Sequence, residues 1–199
     1  MDTLKYELTD HANSLAKYDF FLKNMGVEQS LLELAKNAVH ASGHAKIFDI
    51  GCGEAGALKE LKKKFGEKIT VSGIDALPVS GLDEFVSGDA AEKDFPKNCD
   101  IIVSFRALHE IAHLELVFKK ISDSLTTDGQ AFLSIRCQQF VGGKIFFHGN
   151  LAQKDMDFLE KIEKKGEFGK MKALVIKVLQ KSGKKRIIAG INVFLAKNL

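Results

Sequence analysis

The chain has 199 residues, of which 45% are hydrophobic and 28% charged, with two prolines and a net charge of +3. A domain takes roughly 100–200 residues, so this composition supports one globular domain with a sizeable core. It excludes a disordered chain, a collagen-like repeat and a disulfide scaffold. No window of about 18 apolar residues is present to cross a bilayer. The opening MDTLKYELTD has no apolar signal core. Three dispersed cysteines, Cys52, Cys99 and Cys137, fit free thiols better than bridges. The expectation is a cytoplasmic protein with no membrane association, its oligomeric state left open. Charge is unevenly placed: residues 1–150 carry 17 basic and 21 acidic side chains, and residues 151–199 carry 12 and 5. A basic C-terminal quarter points to an anionic partner.

Residues 3–25 and 28–41 read as two helices, which makes residues 1–45 a helical cap on an α/β core of residues 46–199. A short apolar strand at 46–50 runs into GCGEAG, followed by an amphipathic helix over 57–65 that stops at Gly66. Strands are predicted at 69–74 and, briefly, at 84–87. The run DIIVSF at 100–105 is continuously apolar, as a strand covered on both faces should be. A helix over 107–125, a turn at Thr127-Asp128-Gly129, a strand at 130–136 and a helix over 151–165 follow. The β-branched runs 171–180 and 186–196 flank KSGKK and suggest a hairpin, with a helix as the alternative for the first. Alternating strands and helices predict a doubly wound α/β domain with a parallel sheet, whose ligands bind at the carboxyl ends of the strands.

The informative residues are therefore those that follow each strand. Gly51, Gly53 and Gly56 match G-x-G-x-x-G after a strand and before a helix, and Asp75 ends the next strand 22 residues past Gly53. The glycines can shape a turn and Asp75 can cap a loop, but together they also suit a nucleoside, with the carboxylate accepting from ribose hydroxyls. Asp49, just before the first glycine, would repel a pyrophosphate and welcome an ammonium or sulfonium. Asp89 supplies a third carboxylate, able to accept from an adenine amino group.

DIGCGEAG at 49–56, Asp75, Gly88-Asp89-Ala90, the strand at 100–105 with RALHEI after it, and VFKKISDSLTTDGQAFLSI at 117–135 resemble class I S-adenosylmethionine-dependent methyltransferases. The resemblance covers roughly residues 40–136. It implies a Rossmann-like, mostly parallel seven-stranded sheet, with an antiparallel last strand supplied here by residues 186–196. It also implies S-adenosyl-L-methionine as cofactor. Asp49 with the backbone of Gly51 and Gly53 would hold the methionine part, Asp75 the ribose, and Asp89 with the Ala90 amide the adenine. Ser104 and Phe105 would sit beside the reactive methyl. One departure stands out: only 13 residues separate Asp75 from Asp89, so the helix usual between those strands is missing or one turn long. That segment resembles the heat-shock 2′-O-ribose methyltransferases, whose catalytic Lys-Asp-Lys-Glu set is not matched.

Other motifs compete. His109-Glu110-Ile111-Ala112-His113 spells the H-E-x-x-H of zinc hydrolases, which needs both histidines on one helix face. The strand–helix grammar explains the same residues without a metal. Within the transferase reading, His109 is a candidate general base, with a surface helix histidine as the alternative. Cys137 follows the fifth strand, but the proline-cysteine pair of RNA cytosine-5 methyltransferases is absent, as is the amino-methylation tetrapeptide at 104–107. Tyr6, Tyr18, Phe20 and Phe21 read as core packing or as a lid over the substrate. The expected function is methyl transfer to a nucleophilic N or O atom of a small molecule. The alternatives are an RNA acceptor drawn by Lys181, Lys184, Lys185 and Arg186, or a cofactor-binding scaffold.

Overall fold

The computed structural model describes residues 14–141, 144–147, 176–177 and 186–193. Helix α1 spans Leu15–Asn24 and α2 spans Leu31–Ser42. Ser30 caps α2 reciprocally: its hydroxyl accepts the Glu33 N–H while the Glu33 side chain accepts the Ser30 N–H. The first strand, β1, spans Ala45–Ile50, and α3 spans Gly56–Phe65. Strands β2 (Ile69–Asp75), β3 (Glu84–Ser87) and β4 (Cys99–Phe105) follow, then α4 (Leu114–Ser124) and β5 (Leu125–Val141). Residues 76–83 contain no helix, so the connection between β2 and β3 is a loop. Asp83 pins that loop: its carboxylate accepts the Val71 N–H at 2.8 Å and pairs with Lys62 of α3 at 3.0 Å.

Strands β1 to β5 form a parallel sheet in the order β3-β2-β1-β4-β5. The order reverses between β1 and β4, which is where a doubly wound sheet opens a crevice. Because side chains alternate across a strand, β1 feeds two cores. Phe48 and Ile50 pack with Ile102, Leu133, Val117 and Ile121 on the α4 side. Ala45 and Ile47 pack with Val71, Ile101 and Val103 under α1, α2 and α3.

Two expectations need correction. A seven-stranded sheet with an antiparallel last strand is not what the described residues form. Through residue 134 they give five parallel strands and no antiparallel one. The last strand, β8 (Arg186–Val193), runs parallel to β5 in the register Gln130 to Arg186. A parallel neighbour needs a crossover of a dozen or more residues, and the chain between β5 and β8 is long enough to supply one. Antiparallel pairing belongs instead to two short segments, β6 (Lys144–Phe147) on β5 and β7 (Ile176–Lys177) on β8. The second correction concerns the helix expected from residue 107, which begins only at Leu114. Residues Leu108–Glu110 form a 3₁₀ turn instead, and His113 takes a left-handed backbone with φ 58°. Leu108 is drawn into the core below, and Ile111 is packed against it. Tertiary packing thus outweighs the helical propensity of these residues. The predicted helix at 151–165 lies outside the described residues. Among the described residues, no helix is long and apolar enough to cross a membrane.

Candidate active site

The glycine turn after β1 is held against the end of β2. The N–H groups of Gly51 and Cys52 donate to the Ile74 carbonyl at 2.8 and 3.2 Å. The Gly53 N–H donates to Asp75 Oδ2 at 2.8 Å, and Leu77 donates its N–H to Asp75 Oδ1 at 3.1 Å. Asp75 therefore fixes the turn on one side and the β2–β3 loop on the other. Gly51 sits at φ 74°, and a Cβ built there would lie 2.1 Å from the Ala107 Cβ. Only glycine lets the turn close on the loop that follows β4.

Asp49 belongs to the same face of β1 as Ala45 and Ile47, and so points beneath α1. It is fully buried. Tyr18 of α1 donates its hydroxyl to Asp49 Oδ2 at 2.5 Å, whereas the buried Oδ1 has no hydrogen-bond partner among the described residues. Burial pushes the Asp49 carboxyl up to about 7; the Tyr18 hydrogen bond opposes this and the Asp75 charge adds to it. Burial, then the Asp49 charge, holds the Tyr18 phenol well above its ordinary range. Burial, with Asp49 and Asp75 behind it, also keeps the adjacent Cys52 thiol neutral. A buried carboxylate with one open oxygen is costly unless a cation meets it.

At the end of β3, Asp89 is exposed and its Oδ1 accepts the Ala91 N–H at 2.8 Å, while Ala90 is buried. At the end of β4, the Ser104 hydroxyl donates to the Ile50 carbonyl at 2.8 Å and ties the two strand ends together. The ring of Phe105 stacks on Phe21 at 5.3 Å and meets Tyr18 edge-on at 4.8 Å. Arg106 follows with a left-handed backbone, φ 63°, and its N–H is held by the Ser134 hydroxyl at 3.1 Å. Such strain in a non-glycine residue concentrates at functional sites. His109 is buried in the next turn, with Nε2 3.3 Å from Glu110 Oε1. The two histidines of HEIAH do not share a helix face, because the chain between the 3₁₀ turn and α4 is not helical. The geometry that zinc chemistry requires of this motif is therefore absent. The side chain of Cys137 and residues Lys181, Lys184 and Lys185 lie outside what is described.

The structure thus gathers Asp49, Gly51, Gly53 and Asp75 at the ends of β1 and β2, with Ser104, Phe105 and His109 at the end of β4. Asp89 and Ala90 stand at the outer end, after β3. A family model described as a methyltransferase domain matches residues 22–171. The chain belongs to this family. It is 27% identical over 135 residues to the highly reducing polyketide synthase GPY1 of Gibberella fujikuroi (strain CBS 195.34 / IMI 58289 / NRRL A-6831), covering 56% of this chain and 5% of that protein. The chain thus spans about a twentieth of that relative. Among solved structures it is similar to StiE O-MT residues 942–1257, with TM-score 0.37 and 20% identity over 49% of this chain and 40% of that one. It is also similar to coclaurine N-methyltransferase bound to N-methylheliamine and SAH, with TM-score 0.38 and 16% identity over 64% and 44% of the two chains.

The methyltransferase-domain match begins at residue 22, so the site's tyrosine, Tyr18, lies just upstream of it. In the sequence Tyr18 stands among aromatics that suit core packing or a lid, and nothing local pairs it with Asp49. The available signal was physical: a buried tyrosine hydroxyl needs an acceptor.

Proposed function

We propose that the chain is an S-adenosyl-L-methionine-dependent methyltransferase that methylates a nucleophilic N or O atom of a small molecule. The observation that carries the reading is the buried Oδ1 of Asp49 beside the glycine turn, which no described residue satisfies. The residues present fit the cofactor. Asp49 offers a counter-charge to its ammonium or sulfonium, and Gly51 and Gly53 let backbone approach it closely. Asp75, already held by two backbone N–H groups, keeps lone pairs for ribose hydroxyls. Asp89 and Ala90 would serve the adenine. When bound, the cofactor supplies a methyl group already activated on a sulfonium. The chain's own share of the work is orientation and the exclusion of water.

The acceptor end supports a small substrate. Helix α1 lays Tyr18 and Phe21 against Phe105, which gives the end of β4 a dry aromatic cover. His109, with Glu110 beside it, takes the proton that leaves the acceptor as its N–H or O–H is methylated. His109→Ala should then lower kcat by about 10²-fold or more with cofactor affinity kept. An unchanged kcat would give His109 a structural role only.

Calorimetry with S-adenosylmethionine and with NAD, run side by side, tests the cofactor. Binding of NAD alone would contradict the reading. Methyl-labelled cofactor incubated with a cell extract should then label the small-molecule fraction and leave S-adenosylhomocysteine behind. Label in RNA would contradict the proposed acceptor class, and binding without turnover would point to a scaffold. Asp75→Ala should weaken cofactor binding by about 1–3 kcal/mol through lost hydrogen bonds. An unchanged affinity in the same titration would remove Asp75 from the site.

A further inference from the structure

Lys120 of α4 spends its ammonium in an unusual way. It donates to the Ala91 carbonyl at 2.6 Å, the Lys93 carbonyl at 2.8 Å and the Ala90 carbonyl at 3.3 Å. An ammonium has three N–H donors and no acceptor, so one turn takes all of them. The charge also lies 5.6 Å from the centroid of the Phe95 ring, which closes the same loop. Phe95 in turn packs on Phe48 of β1 at 5.1 Å.

The clamped turn is the one that carries Asp89. Its first residue, Gly88, donates its N–H to the Asp75 carbonyl at 2.9 Å. The Asp89 carboxylate accepts from Ala91 at 2.8 Å, and the Asp89 carbonyl accepts the N–H groups of Glu92 and Lys93, both at 3.0 Å. No helix separates β2 from β3 to brace this edge. The brace comes from the other direction, from α4, 27 to 30 residues further along the chain.

We propose that Lys120 is a positioning residue that fixes the nucleoside end of the cofactor site by clamping the Asp89 turn. The inference rests on the cofactor reading above. It predicts that the affinity of adenosine-bearing ligands depends on the Lys120 charge, although this side chain does not touch them. The turn's carbonyls are drawn toward α4, and this holds the Asp89 carboxylate in register with Asp75. Without the ammonium, three carbonyls compete for water and the turn loses its fixed orientation.

The test compares Lys120→Met, which keeps the aliphatic stem, with Lys120→Arg, which restores a cation and donors. Lys119→Met on the exposed side of the same helix is the control. The probes are S-adenosylmethionine, S-adenosylhomocysteine and adenosine, titrated calorimetrically, with melting temperature measured in parallel. For Lys120→Met we expect about a tenfold loss of affinity for all three ligands, including adenosine. KM for the cofactor should rise by a similar factor and kcat should stay within about twofold, with at least partial rescue by arginine. Lys119→Met should match the wild type. A double change with Asp89→Ala should lose less than the product of the two single losses, because both act through one turn. Wild-type affinity in Lys120→Met, or a fall in melting temperature with ligand affinities unchanged, would overturn the proposal. Failure of the wild-type protein to bind any of the ligands would instead refute the cofactor reading itself.

Discussion

Replacing Asp49 with asparagine should weaken S-adenosylmethionine binding by at least about 2–3 kcal/mol, the worth of a charge-assisted hydrogen bond. The same change should stabilise the ligand-free protein at about pH 8. The sign follows from the carboxyl being held up to about 7 by burial. In the unfolded chain the same group ionises near 4. Between those values the native protein binds the extra proton, so this residue's contribution to stability falls as pH rises and levels off above about 7. Asparagine keeps an acceptor for the Tyr18 hydroxyl but leaves amide hydrogens buried, which offsets part of the gain. A net gain of roughly 1–2 kcal/mol is expected at about pH 8, or about 3–6 °C in melting temperature for a domain of this size. The gain should shrink as pH is lowered, vanish near about pH 6 and turn into a loss by about pH 4, where the linkage is gone and the cost of the buried amide hydrogens remains. Thermal melts across that range check it. A destabilised variant at pH 8 would mean that the carboxylate is compensated in the ligand-free state.

Gly51→Ala should cost about 3–4 kcal/mol of stability. Two separate penalties add. A residue with a Cβ at φ 74° pays roughly 1–2 kcal/mol for the left-handed backbone. The new methyl also meets the Ala107 Cβ at 2.1 Å, and overpacking of this kind costs about 1–3 kcal/mol. Gly51→Ala with Ala107→Gly removes the collision and leaves the backbone term and the entropic cost of the new glycine, so the pair should recover about 1–2 kcal/mol of the loss. Denaturant midpoints of the two variants separate the terms. A single variant as stable as the wild type would show that the turn does not close on the β4 loop.

Much of this architecture was legible in the sequence because strand and helix periodicities differ. The strands at 46–50, 69–74, 84–87 and 100–105 recur within a residue of their predicted ends. The position of Asp49 at the end of β1, ahead of the glycine turn, was legible too. Tyr18 was not, because its partner lies 31 residues away and no local period records the pairing. The stretch around HEIAH misled for a related reason. Its residues favour helix, and the burial of Leu108 in the core with part-buried Ile111 packed against it breaks them into a turn. The turn expected at Thr127-Asp128-Gly129 appears instead as a register shift, in which β5 pairs Leu125 with Cys99 and Gln130 with Ile101. The direction of β8 was the least legible feature, since a β-branched run reads the same for either sense of pairing.

In the proposed complex a cation of the cofactor meets the buried Asp49 carboxylate. The most direct measurement counts the protons released when S-adenosylmethionine binds, by calorimetry in buffers of different ionisation heat. At about pH 6 most of the ligand-free protein holds a proton on Asp49, because burial sets that carboxyl near 7. A cation at Oδ1 favours the ionised form, so binding should release close to one proton at about pH 6 and far fewer at about pH 8. A proton count at pH 6 no larger than that at pH 8 would contradict the account.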